Sequence, residues 1–219
     1  MKTLKIEMIH DVVCSWCPIG YANMQQALGN LDIKADMHFL PYELNPDMGP
    51  EGEGINEHLQ RRYHWSQSRL QDYRTHLLAV AKQAGVVIDF SKRSHYYNSS
   101  KAHRLIHWSE GYNRQQAMNE RLIEAYFKRG LDISSTSVLL TLVEELGLDR
   151  SQAQQVLLAN EIDPQLRLKQ QRVQQLELTG VPAFLVNEHT VISGSNSVAY
   201  FETAIKRLTE NQPNVHVAC

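Results

Sequence analysis

The chain is poor in cysteine, with three in 219 residues, at positions 14, 17 and 219. That is too few for the framework of bridges that holds a small secreted domain together. No run approaches the ~18 apolar residues of a membrane span. No long Lys/Arg block occurs and the net charge is −2, so no overall basic field points to nucleic acid. A Gly-rich phosphate-binding motif is missing, which argues against a nucleotide. The opening Met1-Lys2-Thr3 leads into a segment carrying Glu7, without the apolar core or cleavage site of a secretion signal. Together these absences predict a cytoplasmic protein with no membrane or nucleic-acid partner. What is present is a chain 42% apolar and 21% charged, long enough for one or two domains with a real core.

Two of the cysteines stand three apart in Cys14-Ser15-Trp16-Cys17. Before them, Leu4, Ile6 and Met8 alternate with Lys5 and Glu7, the period of a half-buried strand. After them, Gly20 to Leu31 is amphipathic. In the first turn of a helix, residues i and i+3 share a face, so two thiols there can close a small disulfide ring. Unpaired N–H groups at a helix start favour a thiolate on the first cysteine. Cys14 is therefore the expected attacking thiol and Cys17 the resolving one. Pro18 falls where a missing N–H costs little.

Other readings of the pair stay open. With His10 it could be part of a zinc site, although structural zinc usually takes four ligands and the remaining cysteine is the last residue. The two could be buried and inert, or form a structural disulfide. A redox-sensing or zinc-binding module is thus an alternative to an enzyme.

Along the chain, a second strand is expected at Lys34–Leu40, making a right-handed βαβ unit with parallel strands over 4–42. Residues 45–54 are turn-rich. From 55 to 178 the period is helical: a long face from Ile55 to Val80 broken near Ser66 and closed by Gly85, then helices over 101–110, 115–129, 135–146, 150–159 and 163–178. Leu146-Gly147-Leu148-Asp149 reads as a helix stop followed by an N-cap. Strands return at Ala183–Val186 and Thr190–Ser193 around the hairpin signal Asn187-Glu188-His189, and a last helix covers 197–208. The two ends make a four-stranded mixed sheet flanked by helices. The expected division is 1–45 with 156–219, and an inserted, all-helical domain at 46–155. Crevices between such parts are common ligand sites.

The Cys-x-x-Cys on the first βα turn, with Gly180-Val181-Pro182-Ala183-Phe184 before the late hairpin, resembles the thioredoxin superfamily. The large helical insertion resembles its DsbA-like branch. Within that branch, Asp11-Val12-Val13-Cys14-Ser15-Trp16-Cys17-Pro18-Ile19-Gly20, Lys101-Ala102-His103-Arg104-Leu105 and Ala125-Tyr126-Phe127-Lys128-Arg129-Gly130 resemble FrnE-type dithiol oxidoreductases. Ser15 departs from the pattern, since relatives often carry proline there.

The resemblance implies an α/β, thioredoxin-like fold and a thiol–disulfide oxidoreductase or isomerase with Cys14 and Cys17 catalytic. It implies a cis Val181–Pro182 bond beside the dithiol, leaving the Val181 backbone free to pair with a substrate strand. Trp16, Ser15 and His103 are the further candidate substrate contacts, and Asn98 and Arg104 are placed in the same crevice. The implied partner is a protein or small molecule bearing a disulfide or thiols, with no metal or other cofactor, and glutathione as a conceivable co-substrate. The rival within the superfamily is a glutathione-dependent enzyme of the kappa-class transferase or 2-hydroxychromene-2-carboxylate isomerase type. Those relatives typically carry serine where Cys14 stands. By residue type alone, His103 and His107 read as ordinary helix histidines. Tyr63, Trp65 and Tyr73 read as core, and Arg167, Lys169 and Arg172 as a solvated face.

Overall fold

The computed structural model describes residues 3–210. Strand β1 (Leu4–His10) is followed by helix α1 (Cys17–Asn30) and strand β2 (Ala35–Pro41). β1 and β2 pair in parallel, so this is the expected βαβ unit. Near the C-terminal end, β5 (Ala183–Val186) and β6 (Thr190–Ser193) form a hairpin, and β5 lies antiparallel to β1. The sheet order is β2-β1-β5-β6. Asn187 and Glu188 both take positive φ, 49° and 67°, as a tight hairpin turn requires.

β1 is central and buried on both faces. Ile6, Met8, Phe184 and Val186 point to one side, where Phe201 and Ile205 of α9 (Val198–Glu210) and Met24 of α1 close the core. Ile9, Leu40, Ala183 and Leu185 point to the other, against Val173 of α8 (Pro164–Gln175). Two-residue periodicity produces this split. Each large apolar side chain buried this way contributes roughly 1.5–3 kcal/mol. The expectation of a half-buried β1 is corrected by Glu7, which is buried and held by Arg172 of α8 through two 2.6 Å hydrogen bonds. Lys169 pairs with Glu110. Arg172 and Lys169 are thus bridging residues, not members of a solvated face.

Between the halves lie α2 (Ile55–Tyr63), α3 (Gln67–Gln83), α4 (Ser100–Glu110), α5 (Gln115–Ile123), α6 (Thr136–Glu145) and α7 (Arg150–Leu158). α5 runs on into a π-helical turn, Glu124–Lys128. The break near Ser66 is real: its side chain caps α3 by accepting from the Arg69 N–H. Asp149 caps α7 in the same way after Gly147 takes φ 69°. The insertion is not all helical. β3 (Glu53–Gly54) and β4 (His95–Tyr96) form a small antiparallel ladder. At two residues each, they are too short to carry a periodic signal. α7 crosses the expected boundary at residue 155 and packs on α4 and α6, so the helical layer continues to Leu158.

Candidate active site

The chain leaves β1 at His10 and turns twice before α1. Cys14 N–H donates to the Asp11 carbonyl at 3.0 Å, and Cys17 N–H to the Cys14 carbonyl at 3.2 Å. The Asp11 carboxylate accepts from Val13 N–H at 3.2 Å and Leu44 N–H at 2.7 Å, tying the loop to the segment after β2. These turns take up the backbone, so α1 begins at Cys17 with Trp16 as its cap. Cys14 therefore precedes the helix by one turn, where the sequence had placed it inside the first turn. Both cysteines are free thiols. Cys14 is 7% exposed and Cys17 0%, so only Cys14 meets solvent.

Their acidities diverge. A hydrogen bond from the Cys17 thiol is the first cause holding the Cys14 thiol below the ordinary range. The N–H groups of Trp16 and Cys17 add to it, while burial and Asp11 oppose. Burial pushes Cys17 well above the ordinary range, and the Cys14 sulfur pushes further in that direction. Sequence reasoning assigned the activation of Cys14 to the helix end; the neighbouring thiol comes first. As a thiol, Cys14 donates to the Val181 carbonyl at 3.6 Å.

That carbonyl belongs to a Val181–Pro182 peptide that is cis. Pro182 is anchored by Gly194 N–H, which donates to its carbonyl at 2.8 Å. Its ring rests on α1: a Cβ at Gly20 would sit 2.8 Å from Pro182 Cγ. Gly20, seen at first only as the start of an amphipathic run, is the hydrogen-sized gap that lets the two loops meet.

The remaining candidates divide by burial. Trp16 is half-buried and packs edge-on against Tyr73 at 6.5 Å. Ser15 is buried. His103 is 3% exposed and lies behind the loop, with Nε2 3.7 Å from Asp11 Oδ1. Its ring stacks edge-on with His10 at 5.5 Å, so it does not line the crevice as expected. Arg104 donates to the Ala159 carbonyl and Asn98 to those of Pro46 and Met48, so both serve the scaffold. His107 faces Asp163 at 3.2 Å, away from His103. Among the described residues, no three His, Cys, Asp or Glu side chains gather as a metal site would require. Cys219 lies outside the described residues.

Sequence reasoning missed Arg93. It is the largest fully buried side chain, 2% exposed, and donates from Nη2 to the Val13 carbonyl at 3.3 Å. Rings of Phe90, Tyr96, Tyr126 and Phe127 surround its Cζ at 4.7–5.5 Å. Nothing in the sequence around it, Ser91-Lys92-Arg93-Ser94, marks the arginine as interior.

A mixed β2-β1-β5-β6 sheet, a Cys-x-x-Cys loop entering α1 and a cis-proline loop against that helix define a thioredoxin fold with a helical insertion. The chain belongs to the family of the DsbA-like thioredoxin domain, whose model matches residues 5–206. It is 28% identical over 204 residues to the uncharacterized protein YwbO of Bacillus subtilis (strain 168), covering 93% of this chain and 96% of that one. Among solved structures it resembles a probable DsbA oxidoreductase, SCO1869, from Streptomyces coelicolor. There the TM-score is 0.89 at 23% identity, over 98% of this chain and 94% of that one. It also resembles the cytosolic disulfide reductase DsbM from Pseudomonas aeruginosa, solved with GSH. That match has a TM-score of 0.64 at 16% identity, over 94% and 99% of the two chains. No helix among the described residues is long and apolar enough to cross a membrane.

Proposed function

We propose that this protein is a cytoplasmic dithiol–disulfide oxidoreductase and isomerase of the FrnE type, working through Cys14 and Cys17. The observation that carries the reading is the asymmetric pair: an acidified, slightly exposed Cys14 facing the Val181 carbonyl, beside a fully buried Cys17 of raised pKa. The Cys14 thiolate attacks one sulfur of a substrate disulfide. That S–S bond breaks, the first substrate thiolate leaves, and a mixed disulfide forms. Cys17 then gives up its proton and attacks the Cys14 sulfur. The proton leaves with the second substrate thiol, and the enzyme ends as a Cys14–Cys17 disulfide. Two electrons have passed to the substrate, and the reverse sequence oxidises a dithiol. The sulfurs carry the chemistry without a cofactor, and glutathione serves as the small thiol that recycles the pair.

Val181 and Trp16, both part-exposed, are assigned to substrate contact, and the buried Pro182 to shaping the Val181 backbone that the substrate meets. Ser15 and His103 are too buried to touch a substrate and are assigned to support of the loop. The glutathione-transferase or isomerase reading is disfavoured by the second thiol, Cys17, beside the first, which that chemistry does not use. Cys17→Ser tests the choice. It should trap a disulfide-bearing substrate as a mixed disulfide at Cys14. Full disulfide-reductase activity in Cys14→Ser would overturn the assignment.

A further inference from the structure

A line of aromatic rings leaves the dithiol loop and runs onto the insertion. Trp16 sits between the two cysteines and meets Tyr73 at 6.5 Å between ring centroids. Tyr73 meets Trp65 at 5.1 Å, and Trp65 meets Tyr63 at 5.3 Å. The first three are half-buried, and the line ends at Tyr63, which is 49% exposed. Two cations lie on it: Arg69 Cζ is 5.6 Å from the Trp65 ring, and Arg62 Cζ is 5.7 Å from the Tyr63 ring. Arg62 spends its hydrogen bonds on neutral partners, the Leu44 carbonyl and Asn45 Oδ1. Neither arginine forms an ion pair among the described residues.

The charge around this line is segregated. Residues 55–83, which span α2 and α3, hold five Lys or Arg against two acids, a net of +3, whereas the whole chain is −2. Everything outside this hairpin therefore sums to −5. A basic hairpin on an acidic molecule, with two unpaired guanidinium groups over a line of rings that begins at Trp16 beside the attacking cysteine, favours one kind of occupant. Rings offer low-entropy contact area for an extended chain, and unneutralised guanidinium groups select acids within about a Debye length.

We propose that the Tyr63–Trp65–Tyr73–Trp16 line is the docking track for extended, acidic polypeptide segments that flank a substrate disulfide. The inference rests on the dithiol reading above and specifies its substrate class. With the substrate sulfur at Cys14, acidic side chains a few residues away reach Arg69 and Arg62, and apolar ones lie on the rings. Single-stranded nucleic acid also pairs bases with rings and phosphates with arginines. A polypeptide is favoured because the track begins at the redox sulfur and beside the Val181 backbone.

The test uses two peptides, each with one cysteine capped as a mixed disulfide, flanked by glutamates in one and lysines in the other. The neutral 2-hydroxyethyl disulfide is the control. The reduced wild type should turn over the acidic peptide about tenfold faster in kcat/KM than the basic one at low salt, and the gap should narrow towards 1 M salt. The charge-reversed R62E/R69E should invert the order while reducing 2-hydroxyethyl disulfide at the wild-type rate. Both positions are exposed, so folding is not at issue. Equal rates for both peptides would overturn the track. So would tighter binding of a single-stranded oligothymidylate than of the acidic peptide. Should the control disulfide not be reduced, the dithiol reading fails by itself. Anisotropy with serine-for-cysteine versions of the two peptides then decides the track alone: preference for the acidic peptide, lost in R62E/R69E, supports it, and no preference overturns it.

Discussion

Reactivity at Cys14 depends first on one neighbouring atom, the Cys17 sulfur. Near pH 6, alkylation should label Cys14 faster than Cys17 by about tenfold or more, because only the first is acidified and keeps any solvent-exposed surface. Cys17→Ala removes the donor and should slow Cys14 alkylation at that pH, whereas Cys17→Ser keeps a hydroxyl donor and should slow it less. Equal rates in Cys17→Ala and wild type would mean that the backbone N–H groups suffice. His10 gives a second prediction at this scale. It is fully buried with neither ring nitrogen hydrogen-bonded among the described residues, and burial, followed by His103, holds its pKa well below the usual value of 6.5. The unfolded chain therefore binds a proton that the folded chain refuses. Stability is complete above pH ~6.5 and falls as the pH drops from there towards the folded value. His10→Phe should flatten that part of the pH–stability curve, and an unchanged slope would contradict it. The cysteine pair was plain from its spacing. His10, Asp11 and Arg93 were not, because burial of a polar side chain leaves no local mark in a sequence.

At the scale of elements, the sequence read most strands to within a residue because apolar alternation and turn residues agreed. It put Cys14 inside the first turn of α1, whereas the turns around Cys14 delay the helix to Cys17. It also treated β1 as half-buried. Glu7 looked like a solvent-facing position, but a carboxylate can stay in a core strand when an arginine from another element reaches it, and Arg172 lies 165 positions away. Arg172→Leu would leave Glu7 buried and unpaired. The expected loss is about 3 kcal/mol, the low end for a broken buried pair because the arginine is partly exposed. Glu7→Leu together with Arg172→Leu should recover most of it in urea unfolding. Strict additivity of the two single losses would refute the coupling. Gly20 is the contact between α1 and the proline loop. Gly20→Ala forces a methyl to within 2.8 Å of the Pro182 ring, and should cost about 1–3 kcal/mol as overpacking. Turnover should fall as well, because the displaced loop carries the Val181 carbonyl; wild-type stability and turnover in Gly20→Ala would show that the loop has room to move.

Over the whole molecule, the insertion closes over the dithiol loop as well as beside it. Asp89 N–H bonds to the Phe127 carbonyl at 2.8 Å, Arg93 N–H to the Asp89 carbonyl at 2.8 Å, and the Arg93 side chain reaches Val13 next to Cys14. Gly130, at φ 69°, admits the Lys92 backbone so closely that a Cβ would lie 2.4 Å from its carbonyl carbon. The redox loop is thus held from β1, from the proline loop and from the insertion. Element order made the nested architecture legible, but these contacts join distant segments with no shared pattern, Arg93 and Val13 being 80 positions apart. The claim on which the rest depends is that Cys14 and Cys17 form one two-electron couple. The most direct measurement is a redox titration of the purified protein against glutathione, with the bonded cysteines mapped by mass spectrometry at each point. A single two-electron transition with a Cys14–Cys17 link in the oxidised form is predicted. A dominant link to Cys219, or a pair that stays reduced across the titration, would contradict it.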